Sequence, residues 1–403
     1  MRDCIPAFGD IFSFMNPPDL LDSSGPRCAG LASRLDDVLD RTIAGGRIVG
    51  TVVVVAQAGR VVYRRAAGRA DRESGRVLRD DAIFLLSSVT KPVVALAAMH
   101  LVEEGRLDLD APITRWLPEF RPRLAGGSAP AITAHHLLTH TAGLVYPGNA
   151  EHGLAYRERG VSSGLDGIFT SLEENLRRVS GAPLVAAPGD RWIYSLSMDV
   201  LGAVIEVVTG RPLAQALREL VLEPLGMRDS GFDVADSERL VTHYADGGSG
   251  PIVMPERHVA VHDGAEFAFA PGRIRDRSAY ASAGGGMAGT ATDVLKALEV
   301  IRAGRSGVLS PAAADRMRRP HVDARAETQG PGWGFGYGGA VLVDPVAAGS
   351  PQSAGSMQWG GVYGHTWFVD AARGLTVVAL TNTSLEGLFG RFPADVRDAV
   401  YAG

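Results

Sequence analysis

The chain has 403 residues, of which 46% are apolar and 21% charged, and its formal net charge is −5. A chain this long should bury roughly 75% of its extended surface, so a large core is expected. The acidic balance, with arginines dispersed among carboxylates, argues against a nucleic-acid partner.

Residues 1 to 30 read as an irregular N-terminal arm rich in Pro, Gly, Ser and Asp. Asp3, Asp10 and Pro17-Pro18 interrupt any signal-peptide hydrophobic region. The arm holds the two cysteines, Cys4 and Cys28, at neither metal nor redox spacing, so a reducing, cytoplasmic setting is expected. From Leu31, apolar residues at Leu35, Val38, Leu39 and Ile43 predict a helix that ends at Gly45-Gly46. Val49 to Ala56 and Val61 to Arg65, around a turn at Gly59, predict a β-hairpin. Asp71 to Asp81 reads as a polar connection. An apolar stretch, Ile83 to Leu86, then leads through Ser88 into a buried helix over Val93 to Glu104. Pro92 fits only a first turn, where its missing N–H has no partner to lose. The apolar run from Pro92 to Val102 is about half a membrane span, and no membrane segment is expected.

Thr133 caps a short helix through Leu138. Helices are predicted over Asp199 to Val208, Leu213 to Leu222 and Thr292 to Arg302, the last with Lys296 on its polar face. Tyr363 to Val369 and Leu375 to Thr381 read as strands, and Pro393 to Tyr401 as a closing helix. Strands at both ends and helices between them predict an α/β fold. One antiparallel sheet is built from the N- and C-terminal segments and covered by helices, with a mainly helical domain inserted. The expected boundaries are an arm at 1–30, a sheet domain at 31–85 plus 330–403 and a helical domain at 86–329, with the active site between the two domains.

Only two lysines occur against thirty-eight arginines, and one closes the tetrapeptide Ser88-Val89-Thr90-Lys91. Arginine stays protonated and is a poor proton acceptor, whereas a lysine can act as a base where burial or positive charge disfavours the ammonium. Residues i and i+3 share a helix face, so Ser88 and Lys91 can meet. The helix N-terminus also favours a nearby oxyanion. This is the layout of an activated serine nucleophile, although S-x-x-K alone also fits a capping serine beside an exposed lysine. Tyr194, in Tyr194-Ser195-Leu196, offers a phenol that could shuttle a proton; a single satisfied hydrogen bond is its plainer reading. Trp359-Gly360-Gly361-Val362 enters the late strand, and glycines there mark close approach by a ligand or backbone, or else a bulge. The Val362 N–H could join that of Ser88 in an oxyanion hole.

Taken in this order, the three elements resemble the serine β-lactamase and penicillin-binding protein superfamily. Within it the chain is most similar to class C β-lactamase-like carboxylesterases, the family VIII esterases. The resemblance runs from about Leu31 to the C-terminus, with support from Leu137-Leu138-Thr139-His140-Thr141-Ala142-Gly143-Leu144 and Pro224-Leu225-Gly226-Met227. It implies Ser88 as nucleophile, Lys91 as base and Tyr194 as proton-transfer partner. Trp359, Gly360 and Gly361 would line the acyl pocket, and Tyr146 would match a second pocket tyrosine. Asp199 is a weaker supporting candidate. Trp359 stands where many lactamases and peptidases of the superfamily carry the lysine of Lys-Thr-Gly, and Leu196 where many lactamases carry asparagine. Both departures favour neutral esters.

The expected function is therefore a serine carboxylesterase acting on short-chain neutral esters through a Ser88 acyl-enzyme. The alternatives are an acyltransferase using the same intermediate, weak β-lactamase or peptidase activity, or a non-catalytic ligand-binding module. No metal or cofactor is expected, the partner is a small-molecule ester, and the sequence leaves the oligomeric state open. Gly160-Val161-Ser162-Ser163-Gly164 matches the G-x-S-x-G pattern but lacks the strand that should precede it. Gly284 to Gly289 matches G-x-G-x-x-G without a preceding strand, and reads as a loop beside the site. His140 is expected to be structural, His135-His136 have no partners at metal spacing, and His365 is not needed as a base.

Overall fold

The computed structural model describes residues 30–305 and 307–402. The expected arm, with Cys4 and Cys28, lies outside these residues apart from Gly30. Helix α1 (Leu31–Ala44) buries Leu31, Leu35, Val38 and Leu39 on one stripe, and Gly45 and Gly46 end it, the latter at φ 65°. An eight-stranded sheet follows, made of β1 (Gly50–Gln57), β2 (Arg60–Asp71), β3 (Arg76–Val77), β4 (Trp333–Phe335), β5 (Ala340–Leu342), β6 (Met357–Gly361), β7 (His365–Asp370) and β8 (Leu375–Thr381). Their order is β4-β5-β6-β7-β8-β1-β2-β3, and every neighbouring pair is antiparallel. The two ends of the chain meet at β1 and β8, where Thr51 lies opposite Thr381 and Gln57 opposite Leu375.

Alternate residues of a strand face opposite sides of a sheet, and the β-branched runs serve both faces here. Val53, Val55, Val377 and Ala379 pack with α1 and with α5 (Phe392–Tyr401), whose Phe392, Val396 and Ala399 complete that layer. Val52, Val54, Val378 and Leu380 turn the other way, into the main core. That core contains most of α2 (Thr90–Glu103) and much of α3 (Ser197–Thr209) and α4 (Ala291–Ala303). Helix α2 is apolar nearly all round and buried from Thr90 to Met99, as expected of a helix surrounded by protein.

Several elements differ from expectation. Strand β3 lies within the expected polar connection, and β4 and β5 are three-residue strands beside Gly336, Gly338 and Gly339, too short to carry a readable period. The late strand begins at His365 because Val362 to Gly364 form a tight turn, with Gly364 at φ 106° and its N–H on the Gly361 carbonyl at 2.8 Å. The run Leu213 to Leu222 divides into an α-helical turn and a wider π-helical turn over Arg218–Leu222. The helical body also carries a hairpin of His258–His262 with Ala265–Phe269. Lys296 is not simply solvated. Its ammonium donates to the Gly226 carbonyl at 2.5 Å and to Asp293 at 2.8 Å, tying α4 to the Pro224-Met227 turn. Among the described residues, no single helix is long and apolar enough to cross a membrane.

Candidate active site

The turn that carries Ser88 is shaped by its predecessor. Ser87 adopts φ 43°, a left-handed conformation that costs a non-glycine residue on the order of 1–3 kcal/mol. A 3-10 turn over Ser87–Val89 follows and runs into α2. A Cβ on Gly361 would lie 2.6 Å from the Leu86 carbonyl and 2.4 Å from Ser87 Oγ. Glycine therefore lets the end of β6 approach the backbone beside Ser88, and Val362 is the next residue.

Ser88 and Lys91 are both buried, at 7% and 1% exposure. Lys91 Nζ lies 3.0 Å from Ser88 Oγ, one turn away as the helix period requires. It also donates to the Gly284 carbonyl at 2.6 Å. Neither partner is an anion. The Tyr194 phenol donates to Ser88 Oγ at 2.8 Å, and its ring centre lies 4.8 Å from the lysine nitrogen. One serine oxygen thus has an amine and a phenol within hydrogen-bonding reach.

The Trp359 indole N–H donates to the Tyr194 hydroxyl at 3.3 Å, and the two ring centres are 5.1 Å apart. The Tyr146 ring lies 5.5 Å from that of Tyr194 and 5.7 Å from Lys91 Nζ. Burial pushes the Tyr146 phenol well above its ordinary range, helped by Tyr194, Asp199 and Tyr280. The family model described as Beta-lactamase matches residues 35–400. The chain belongs to the beta-lactamase family. Esterase EstB of Burkholderia gladioli is 55% identical over 382 residues, covering 93% of this chain and 96% of that protein. Among solved structures, EstCE1, described as a hydrolase with promiscuous acyltransferase activity, aligns with a TM-score of 0.91 at 47% identity. That alignment covers 93% of this chain and 99% of EstCE1. A simvastatin synthase mutant, LovD6 from Aspergillus terreus, shares the fold at a TM-score of 0.75 and 24% identity, covering 93% of this chain and 97% of its own.

Within this beta-lactamase fold, Asp199 does not touch Ser88. Its Oδ1 accepts the Gly284 N–H at 2.9 Å and the Ser282 hydroxyl at 2.8 Å, and its Oδ2 accepts the Tyr280 hydroxyl at 3.2 Å. Gly284 is thus held by Asp199 on its nitrogen and by Lys91 on its oxygen. Burial raises the Asp199 carboxyl above its usual range; those hydrogen bonds and the Lys91 charge oppose the rise. A Cβ at Gly284 would come within 3.1 Å of the Tyr146 hydroxyl. The glycine-rich loop lies beside the site, as read from the sequence, but its part in holding Lys91 was not legible there. Leu196 does not line the pocket. It is fully buried in the main core, so its departure from asparagine carries no argument about substrate.

Trp192 and Phe335, which the sequence did not single out, extend the aromatic wall. Their ring centres are 5.6 Å apart, Trp192 stacks on Tyr194 at 6.3 Å, and Phe335 meets Trp359 edge-on at 5.4 Å. The position of Trp192 two residues before Tyr194 was the available signal. His140 packs 4.8 Å from the Tyr194 ring, and its Nδ1 accepts the Ser195 N–H at 3.3 Å. Burial, aided by the Lys91 charge, holds its imidazole well below the ordinary range. His365 bonds through Nε2 to the Leu85 carbonyl at 2.8 Å, away from the serine hydroxyl.

Proposed function

We propose that the protein, which is a carboxylic ester hydrolase, works through an acyl-enzyme on Ser88 and prefers short, neutral esters. The observation that carries this reading is the convergence of the Lys91 amine and the Tyr194 phenol on Ser88 Oγ, at 3.0 and 2.8 Å. Lys91 takes the serine proton as Oγ bonds to the ester carbon. The carbonyl electron pair moves onto oxygen, where the N–H groups of Ser88 and Val362 stabilise it. The intermediate collapses, and the alkoxide leaves with the Tyr194 proton, which Lys91 replaces. Water then attacks the acyl carbon with the same groups as base and acid, and Ser88 regains its proton.

Substrate preference follows from the wall. Trp359 offers an indole where a bound carboxylate would need a cation. Apolar contact there contributes about 25 cal/mol per Å² buried. An anionic group desolvated against that wall would lose several kcal/mol of hydration without gaining a paired charge. The test compares kcat/KM for a butyryl aryl ester, a palmitoyl aryl ester and a cephalosporin, with mass mapping of a fluorophosphonate adduct. Labelling at Ser88 and a clear lead for the butyryl ester are expected. A cephalosporin value equal to the short ester would overturn the preference, and labelling at another serine would overturn the nucleophile. Acyl transfer is a second reading, favoured by the likeness to EstCE1; added alcohol would then divert the acyl group into a new ester. A cytoplasmic location belongs to the same proposal, supported by the spacing of the two cysteines.

A further inference from the structure

A cavity of about 600 Å³ lies beside the serine site, and none of Ser88, Lys91, Tyr194 or Trp359 is on its wall. It shares backbone with that site at three places: Leu85 just ahead of the Ser88 turn, Gly285-Gly286 just after the carbonyl that holds Lys91, and Tyr363 just after Val362. Its apolar lining includes Leu165, Phe232, Ile274 and Met287.

Three arginines, Arg273, Arg275 and Arg277, lie on the same wall. Arg273 is only 7% exposed. Its Nη1 donates to the carbonyls of Ile168 at 2.9 Å and Asp166 at 3.3 Å. The rings of Tyr280 and Phe169 lie 5.0 and 5.7 Å from its guanidinium carbon. Its Nη2 is buried and reaches no hydrogen-bond partner. Among the described residues Arg273 makes no ion pair, although its charge adds to the Ser278 hydrogen bonds that hold the Asp276 carboxyl below its ordinary range; burying a charge is costly unless it is paired. Arg275 and Arg277 are exposed at the rim. Among the described residues, no carboxylate lies within ion-pair distance of any of the three. The wall also carries Asp233 and Asp276, the latter occupied by the N–H and hydroxyl of Ser278 at 2.8 and 2.6 Å. The cations therefore outnumber the carboxylates in a chain that is acidic as a whole.

We propose that this cavity is a carboxylate subsite for an apolar monocarboxylate, with Arg275 and Arg277 at its mouth and the buried Arg273 within its wall. A planar carboxylate matches the arginine fork, and the apolar wall takes the rest of the molecule. The anion is either a free acid or the remote acid arm of a substrate. An occupant would touch Tyr280, which donates to Asp199, and Gly285, which follows the carbonyl that positions Lys91, so the subsite is joined to the base. This inference does not depend on which serine is acylated.

The test is calorimetric titration of hexanoate and hexanamide into the intact protein, the Arg275→Gln/Arg277→Gln double variant and Arg273→Met. Hexanoate should bind and hexanamide should not, and either variant should weaken hexanoate roughly ten-fold or more. The rim variant alters only exposed side chains, so the test stands even where Arg273→Met fails to fold. The kcat/KM ratio of 4-nitrophenyl hydrogen adipate to 4-nitrophenyl hexanoate then identifies the source. A ratio that falls in the rim variant assigns the site to a substrate arm. An unmoved ratio, with hexanoate changing kcat for the neutral ester in an arginine-dependent way, assigns it to the free acid. Absence of hexanoate binding, or an affinity unchanged by the arginine substitutions, would overturn the proposal.

Discussion

Two serines in this chain sit in motifs that can mark a nucleophile, and both are buried. Ser88 has an amine and a phenol at its oxygen. Ser162, in the G-x-S-x-G pattern, donates instead to Asp166 Oδ1 at 2.7 Å and accepts the Gly164 N–H at 3.1 Å. Asp166 also collects the N–H and hydroxyl of Ser163 and the N–H of Ile168. The Ser162 hydroxyl is therefore committed to closing a loop. Removing its proton would set an alkoxide against a carboxylate, a like-charge pair that burial makes worse. In the mechanism proposed for Ser88 the proton passes to an amine, and the resulting cation faces the developing negative charge. Burial is common to both sites; the chemistry of the hydroxyl's partners separates them.

The sharpest break of that contrast is Ser88→Ala, expected to lower kcat by roughly 10⁴ or more, while Ser162→Ala stays within about two-fold in kcat. Steady-state kinetics on a butyryl aryl ester decide it, and a reversal of the two results would move the nucleophile to Ser162. Next is Lys91→Arg, which keeps the charge and loses the proton acceptor; a loss of about 10³ in kcat is expected. Near-normal turnover in that variant would mean that charge alone matters. Tyr194→Phe should cost about 10² in kcat, with Ser88 still labelled slowly by a fluorophosphonate. Asp199→Asn keeps the shape but weakens the grip on Gly284. Roughly ten-fold lower kcat at nearly constant KM is expected, with a displaced pH–rate profile as the sign that Lys91 has moved. A profile identical to the parent's would leave Asp199 a purely structural group. Smallest in activity is Ser162→Ala itself, whose effect should instead appear in urea unfolding as a loss of about 1–3 kcal/mol, because Asp166 loses a buried donor.

What the sequence made legible was local or strongly periodic. The Ser88-to-Lys91 spacing fixes a meeting on one helix face, and the valine run at β1 and the Leu375–Thr381 run at β8 announce strands buried on both faces. Tyr194 and the Trp359-Gly360-Gly361 stretch stood out by their residue types, but that they meet at Ser88 came from the resemblance, since nothing local says so. The Gly284 carbonyl was invisible because any residue type supplies a carbonyl, and its contact with Lys91 depends on packing between distant segments. Leu196 was misplaced because the residue after Ser195 caps α3 and points into the core. The short strands β3, β4 and β5 escaped because two or three residues carry no period.

The pairing of β1 with β8 also bears on how the protein is made. Thr51 emerges from the ribosome long before Thr381, its partner across the sheet. At about 5–20 residues per second, tens of seconds of translation separate them. During that time the β8-facing edge of β1, with four consecutive valines at Val52 to Val55, has no native partner to pair with. Such an apolar edge is a template for pairing with other chains. That edge of the nascent hairpin therefore stays open until β8 has been made, and its native pairing is a late, long-range contact.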